Sequence, residues 1–260
     1  MMQIIPEKNA LRKTILLYRR ILRHKGYGVH SPFVYNLITK VIRERCPYYH
    51  FSEIERLRKQ LLSKKETIAL LRKGRTQLCP LAGIVGDEAI RPKQGALLFR
   101  LTNYFRPQHI LQIGTSVGLA TLYLTSYAQG LKCVTLEKTP AYASIARQVY
   151  EKGARTPIDL RLGDYRTLLP GILEEMKRLD FVFFNVPHDD NNHWLFDTCM
   201  AYAWEETVFV FKGIKTSREM RRLWKTVCAH PGVTVTIDLF SMGIVFFNKK
   251  LHKRNYTVYF

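Results

Sequence analysis

Residues 109–118 read HILQIGTSVG, a short apolar run closed by Gly114-Thr115-Ser116-Val117-Gly118. If the run is a strand and the following residues open a helix, glycine lets the backbone approach a ligand closely, and the helix start offers unpaired N–H groups. A G-x-x-x-G spacing alone is a weak signal, and its strand-turn-helix setting strengthens it. The next apolar run ends at Glu137, 23 residues after Gly114. A carboxylate at that place and distance can accept both hydroxyls of a ribose. After a third run, Gly163-Asp164 could set a carboxylate near the exocyclic amine of an adenine, although an Asp capping a helix from Arg166 explains Asp164 nearly as well. The three places together describe a nucleoside pocket along the carboxyl ends of three parallel strands, where open sheets bind ligands.

Proton transfer and anion recognition need other side chains. His188, just past a fourth apolar run, is the candidate general base because imidazole titrates near neutrality. An ordinary loop histidine accounts for it equally well. His30, in the segment His30-Ser31-Pro32-Phe33, is a second candidate if the N-terminal part folds over the pocket, and helix capping by His30-Ser31 is the competing reading. Lys212 and Lys215 could hold an anionic substrate. Phe240 and Met242 read as core or turn residues. The five cysteines (Cys46, Cys79, Cys133, Cys199, Cys228) lie far apart without a C-x-x-C pair, which argues against a disulfide framework and a structural zinc site.

These residues need elements to position them. Short apolar runs at 109–113, 132–136, 158–162, 180–184 and 207–211 alternate with helical stretches near 118–128, 140–152, 166–177, 190–203 and 217–229. Strands separated by helices imply crossover connections and a parallel sheet covered on both faces. The alternation breaks at the end. VTVTIDLF (233–240), Ser241-Met242-Gly243 and IVFFN (244–248) predict two strands joined tightly enough to be antiparallel. Upstream, Leu11, Ile15, Tyr18 and Leu22 recur at helical spacing among basic residues, a helix is expected from Val34 to Arg45, and Ser52 with Glu55 signals a capping box. The glycines and prolines of 74–95 predict a loop or linker. The expected division is a helical annex over 1–95 and a ligand-binding domain over 96–260.

The chain has 260 residues, with 41 Lys plus Arg against 21 Asp plus Glu and a formal net charge of +20. Residues 1–75 carry a net +13, the centre to residue 211 a net −1, and residues 212–260 a net +8. Basic ends favour anionic partners such as nucleic acid, a phospholipid surface or acidic metabolites, or serve as solvated faces. A composition of 47% hydrophobic residues excludes disorder, and no apolar run approaches the ~18 residues of a membrane span. The reading is a cytoplasmic protein.

At this level the sequence resembles the class I S-adenosylmethionine-dependent methyltransferases, and within them a bacterial subfamily found largely in Bacteroides-type organisms. The resemblance rests on GVHSPFVYNLITKVI (28–42), ALLFRLTNYFRPQHILQIGTSVGLATLYL (96–124), SREM (217–220) and VTVTIDLFSMGIVFF (233–247). It implies a Rossmann-like α/β sheet with an antiparallel C-terminal hairpin, which nicotinamide-binding folds usually lack. It also implies S-adenosylmethionine as cofactor, with Gly114, Thr115, Ser116 and Gly118 along its methionine and ribose, Glu137 on the ribose hydroxyls, and Gly163-Asp164 beside the adenine. Three positions depart from the pattern. Gln112 stands where relatives usually have Glu. Asn185 lies in Phe184-Asn185-Val186-Pro187-His188, where they read roughly Phe-Asp-Gly-Asn-His. Lys212-Gly213 replaces a pair of aspartates. Related O-methyltransferases hold a divalent metal with acids near those strand ends. Because Lys offers only donors, no catalytic metal is expected here. The expectation is a metal-independent methyltransferase of unspecified substrate and oligomeric state. The alternatives are a catalytically silent binding relative and a nucleic-acid-binding or -modifying protein acting through its basic ends.

Overall fold

The computed structural model describes residues 30–72, 74–186 and 191–260. The amphipathic stretch 11–25 lies outside the described residues. In chain order the elements begin with α1 (Pro32–Leu37), which runs on as a π-helical turn (Ile38–Ile42), then α2 (Tyr49–Ser63), the hairpin strands β1 (Thr67–Arg72) and β2 (Arg75–Pro80), α3 (Leu81–Glu88) and α4 (Pro92–Phe105). Alternation follows: β3 (His109–Ile113), α5 (Leu119–Thr125), β4 (Lys132–Glu137), α6 (Pro140–Gly153), β5 (Ile158–Leu162), α7 (Tyr165–Met176), β6 (Phe181–Phe184), α8 (Asn191–Met200), β7 (Val208–Lys212) and α9 (Arg218–Ala229). The chain closes with β8 (Val235–Asp238), β9 (Met242–Phe246) and β10 (Arg254–Thr257).

The main sheet has eight strands in the order β10-β8-β9-β7-β6-β3-β4-β5. All neighbours are parallel except β9, which is antiparallel to both β7 and β8. Covering by helices on both faces explains why the central strands are apolar throughout rather than alternating. Successive side chains still part company. Ile110, Phe181, Phe183, Val208 and Val210 pack with the helices of the first half, whereas Leu111, Val182, Phe184, Phe209 and Phe211 pack with α7, α8 and α9. The two cores are the two faces of one sheet, as the period-2 geometry of a strand requires. The amino edge is pinned by Asp180, whose carboxylate accepts N–H bonds from Gln108 and His109 (both 2.9 Å) and from Arg178 Nε (2.7 Å).

Several expectations need correction. Residues 74–95 are no linker: they form β2, α3 and the start of α4, and α4 runs through the expected boundary at 95 and 96. Gly83 and Gly86 lie in α3 with open space where a Cβ would stand, so neither marks a required turn. The overlooked signal was Leu81, Ile84 and Val85, all buried at helical spacing. Helix α2 begins at Tyr49, and Ser52 donates back to the Tyr49 carbonyl (2.7 Å) instead of capping. Nor does the segment after His30 form a lid. Ser31 caps α1 by accepting the Val34 N–H (3.4 Å), and Phe33 meets Phe246 edge-on at 5.1 Å. Phe246 pairs with Val208, the first residue of β7, so this segment sits at the amino edge, opposite the carboxyl ends. Buried Arg100 of α4 fastens the region by donating to the carbonyls of Val41 (2.7 Å) and Ile42 (3.4 Å), where the π-helical turn ends.

Candidate functional site

The carboxyl ends of β3, β4, β5 and β6 are stitched into one surface by backbone hydrogen bonds. Gly114 and Thr115 both donate to the Leu136 carbonyl (3.0 Å each), Gly163 donates to the Glu137 carbonyl (2.9 Å), and Asn185 donates to the Ile113 carbonyl (2.9 Å). The loop after β3 thus has its shape fixed from both sides. Gly114 has φ +86°, and a Cβ there would lie 2.1 Å from the Asn185 carbonyl oxygen, so only glycine fits. Gly118, also at positive φ, caps α5 against Tyr150 of α6.

Gln112 is fully buried, and both ends of its amide are used within the protein. Its Nε2 donates to the carbonyls of Gly114 (2.9 Å) and Thr115 (3.4 Å), while its Oε1 accepts from the Thr121 hydroxyl (2.9 Å). The residue shapes the loop from beneath. Asn185 adds a second donor to the Gly114 carbonyl through Nδ2 (2.9 Å). These two amides, at positions where the family pattern carries acids, converge on one carbonyl oxygen that an ionised carboxylate would repel.

Glu137, 4% exposed, is the charged group at the centre of the arrangement. Its carboxylate accepts the Ser116 N–H (2.7 Å) on Oε2 and the Thr139 N–H (2.9 Å) on Oε1. Burial raises its pKa above the ordinary glutamate value, and the N–H groups of Thr139 and Ser116 offset only part of that rise. The Thr139 hydroxyl and the Lys138 N–H also act on this carboxylate, so the hydroxyls of a diol would be accepted by sharing or displacing these weaker donors. Asp164 is exposed and caps α7 by accepting the Arg166 N–H (2.9 Å), and Gly163 before it adopts φ +155°. The capping role considered for Asp164 is therefore present. His188 lies outside the described residues.

Above the loop sits an element that the sequence did not announce. The carbonyl of Glu88, last residue of α3, receives the Ser116 hydroxyl (3.2 Å) and the Lys212 ammonium (3.2 Å), while the Glu88 carboxylate receives the Tyr142 hydroxyl (3.3 Å). Sequence reading missed Glu88, Tyr142, Thr121 and Tyr150, which meet the site only through contacts between distant segments. Lys215 forms an ion pair with Asp238 and lies over the Phe240 ring. The donor set at the ends of β6 and β7, Asn185 and Lys212, is unsuited to a hard cation. Among the described residues no three His, Cys, Asp or Glu side chains gather in a metal-binding group. Also among the described residues, no helix is long and apolar enough to cross a membrane.

No family model matches the chain. A catechol O-methyltransferase of Niastella koreensis is 25% identical over 112 residues, covering 41% of this chain and 51% of that protein. Catechol O-methyltransferase B of Danio rerio is 31% identical over 118 residues, covering 44% of this chain and 42% of that protein. The chain thus spans about half the length of the curated relatives it matches. Among solved structures, an O-methyltransferase from Bacillus cereus in complex with SAH superposes with TM-score 0.58 at 20% identity, over 82% of this chain and 96% of that one. The O-methyltransferase TomG from Streptomyces achromogenes, in complex with SAM, gives TM-score 0.58 at 17% identity, over 83% and 95%. The chain therefore has the Rossmann-like class I methyltransferase fold, and the proteins it resembles in sequence and structure are O-methyltransferases.

Proposed function

We propose that this protein is an S-adenosylmethionine-dependent O-methyltransferase acting on a small molecule without a catalytic metal. The observation that carries this reading is the Glu137 carboxylate, buried at the end of β4 and held by the Ser116 and Thr139 N–H groups where a ribose diol would meet it. The Gly114–Gly118 loop would run along the methionine and ribose, and Gly163-Asp164 beside the adenine. The cofactor supplies an activated methyl group on a sulfonium. The residues of this chain align the partners and exclude water, with Glu88, Ser116 and Lys212 closing one side of the loop. The metal-free reading rests on Lys212 and Asn185, which replace acids with donors. That the relatives are catechol O-methyltransferases favours an oxygen acceptor.

The test is titration of S-adenosylmethionine and its demethylated product, followed by calorimetry and thermal unfolding. At about 100 times its dissociation constant a ligand adds about 2.7 kcal/mol, hence roughly 5–10 °C at this size. The expected result is a shift that Glu137→Ala abolishes. No shift at millimolar ligand would overturn the reading and return attention to the silent-relative and nucleic-acid alternatives.

A further inference from the structure

Lys212 is the last residue of β7, and its ammonium is half-buried against the loop that follows β3. Its Nζ donates to the Glu88 carbonyl at 3.2 Å, and the same oxygen accepts the Ser116 hydroxyl at 3.2 Å. Ser116 in turn gives its N–H to Glu137. The cation is therefore one shared acceptor away from the loop and two links from the carboxylate. Among the described residues it forms no ion pair, and one of its three donors is used. Burial draws the ammonium below its ordinary pKa; nearby Glu88 acts against this and Arg91 with it. Lys215, three positions along the chain, is by contrast neutralised by Asp238. A desolvated cation that among the described residues has a carboxylate nearby but no ion pair is costly to keep, and an anion placed against it repays the cost.

We infer that Lys212 is the substrate-recognition residue, its ammonium holding an ionised oxygen of the substrate, a phenolate or a carboxylate, beside the methyl donor. This rests on the reading of the β3 loop as the cofactor site. Among the described residues Glu137 and Glu88 offset Lys212 and Arg91, so a cationic methyl donor leaves the pocket with one positive charge, and an anionic acceptor restores neutrality. The accepting oxygen enters with its proton already released to solvent. Its lone pair forms the new C–O bond, the C–S bond breaks, and that electron pair stays on sulfur as a thioether. Lys212 remains protonated throughout, and neutral alcohols are disfavoured.

The experiment uses the full chain saturated with the demethylated cofactor, as wild type, Lys212→Met and Lys212→Arg. Benzoate and benzyl alcohol are titrated by calorimetry, and 4-nitrophenol by the absorbance of its phenolate. Wild type should bind at least one of the two anions, and benzyl alcohol about tenfold more weakly or worse. Lys212→Met should lose about tenfold or more in anion affinity, a larger loss than any it shows for the demethylated cofactor, and Lys212→Arg should keep part of it. Which anion binds distinguishes phenolate from carboxylate substrates. Normal cofactor binding with neither anion bound, or equal anion affinity in Lys212→Met, would overturn the inference. Failure of the wild type to bind the demethylated cofactor would instead overturn the reading beneath it. Melting temperatures of the variants at or above that of wild type would exclude misfolding as the cause of lost affinity.

Discussion

Gln112→Glu restores the residue that the family pattern carries, yet the geometry predicts that it harms this protein. The amide donates from Nε2 to the carbonyls of Gly114 and Thr115, at a position with no exposure. An ionised carboxylate would face both oxygens with no donor except Thr121. The group would take up a proton, since full burial raises a carboxyl by about 3 units or more, and the protonated acid can donate to Gly114 as the amide does. Relative to wild type the folded variant then binds a proton that the unfolded chain releases, which costs about 1.4 kcal/mol per pH unit above the ordinary glutamate value. At about pH 8 the loss comes to about 4 kcal/mol, or roughly 8–16 °C in melting temperature. The sign follows: a raised carboxyl pKa means stability is recovered as pH falls through that pKa. By about pH 5 the deficit should shrink to about 1 kcal/mol. Thermal unfolding of both proteins across this range measures the difference directly. A deficit that is absent, or equal at both ends of the range, would refute the assignment of Gln112 as an obligatory donor beneath the loop.

Four further outcomes are expected. Gly114→Ala must hold φ +86° while its Cβ meets the Asn185 carbonyl at 2.1 Å, so it should cost about 3 kcal/mol or more, seen as a fall of roughly 6–12 °C and lost cofactor binding; an unchanged melting temperature would contradict this. Because burial raises the pKa of Glu137, its contribution to stability falls as pH rises through that pKa, whereas ligand hydroxyls donate to the ionised form. Affinity for the demethylated cofactor should therefore weaken on acidification from about pH 8 to about pH 5, and a flat calorimetric profile would count against a diol at this carboxylate. Arg100→Met leaves the Val41 and Ile42 carbonyls without their donor and should cost about 1–3 kcal/mol by chemical denaturation; an unaltered midpoint would show that the guanidinium is dispensable there. For Asp180, burial raises the pKa, but Arg178 and the N–H groups of His109 and Gln108 outweigh it and hold the carboxyl below its ordinary value. Asp180→Asn should then cost about 2–4 kcal/mol at neutral pH, with the gap closing as pH falls through the lowered pKa of Asp180.

Much of the sheet was legible because its pattern is local. The runs at 109–113 and 158–162 match β3 and β5 residue for residue, and the tight link through Ser241 implied the antiparallel pair β8 and β9. Strand β10 escaped notice because RNYT is short, polar and half-exposed, an edge strand without the apolar run that marks the others. Glycine and proline misled over 74–95, where α3 forms on three buried apolar residues.

The sequence by itself determined the alternation of strands and helices, the glycine-bearing turn after β3 and the carboxylate at the end of β4, since each depends on side chains a few residues apart. Tertiary structure decided what those residues do. It directed the Gln112 amide inward and the Asn185 amide onto a carbonyl 71 positions away, and it set Glu88 between Ser116 and a lysine 124 positions beyond it. It also carried the segment around Phe33 to the edge opposite the loop. Local periodicity records which face of an element must leave water, but the partner waiting there is fixed only when the whole sheet closes around it.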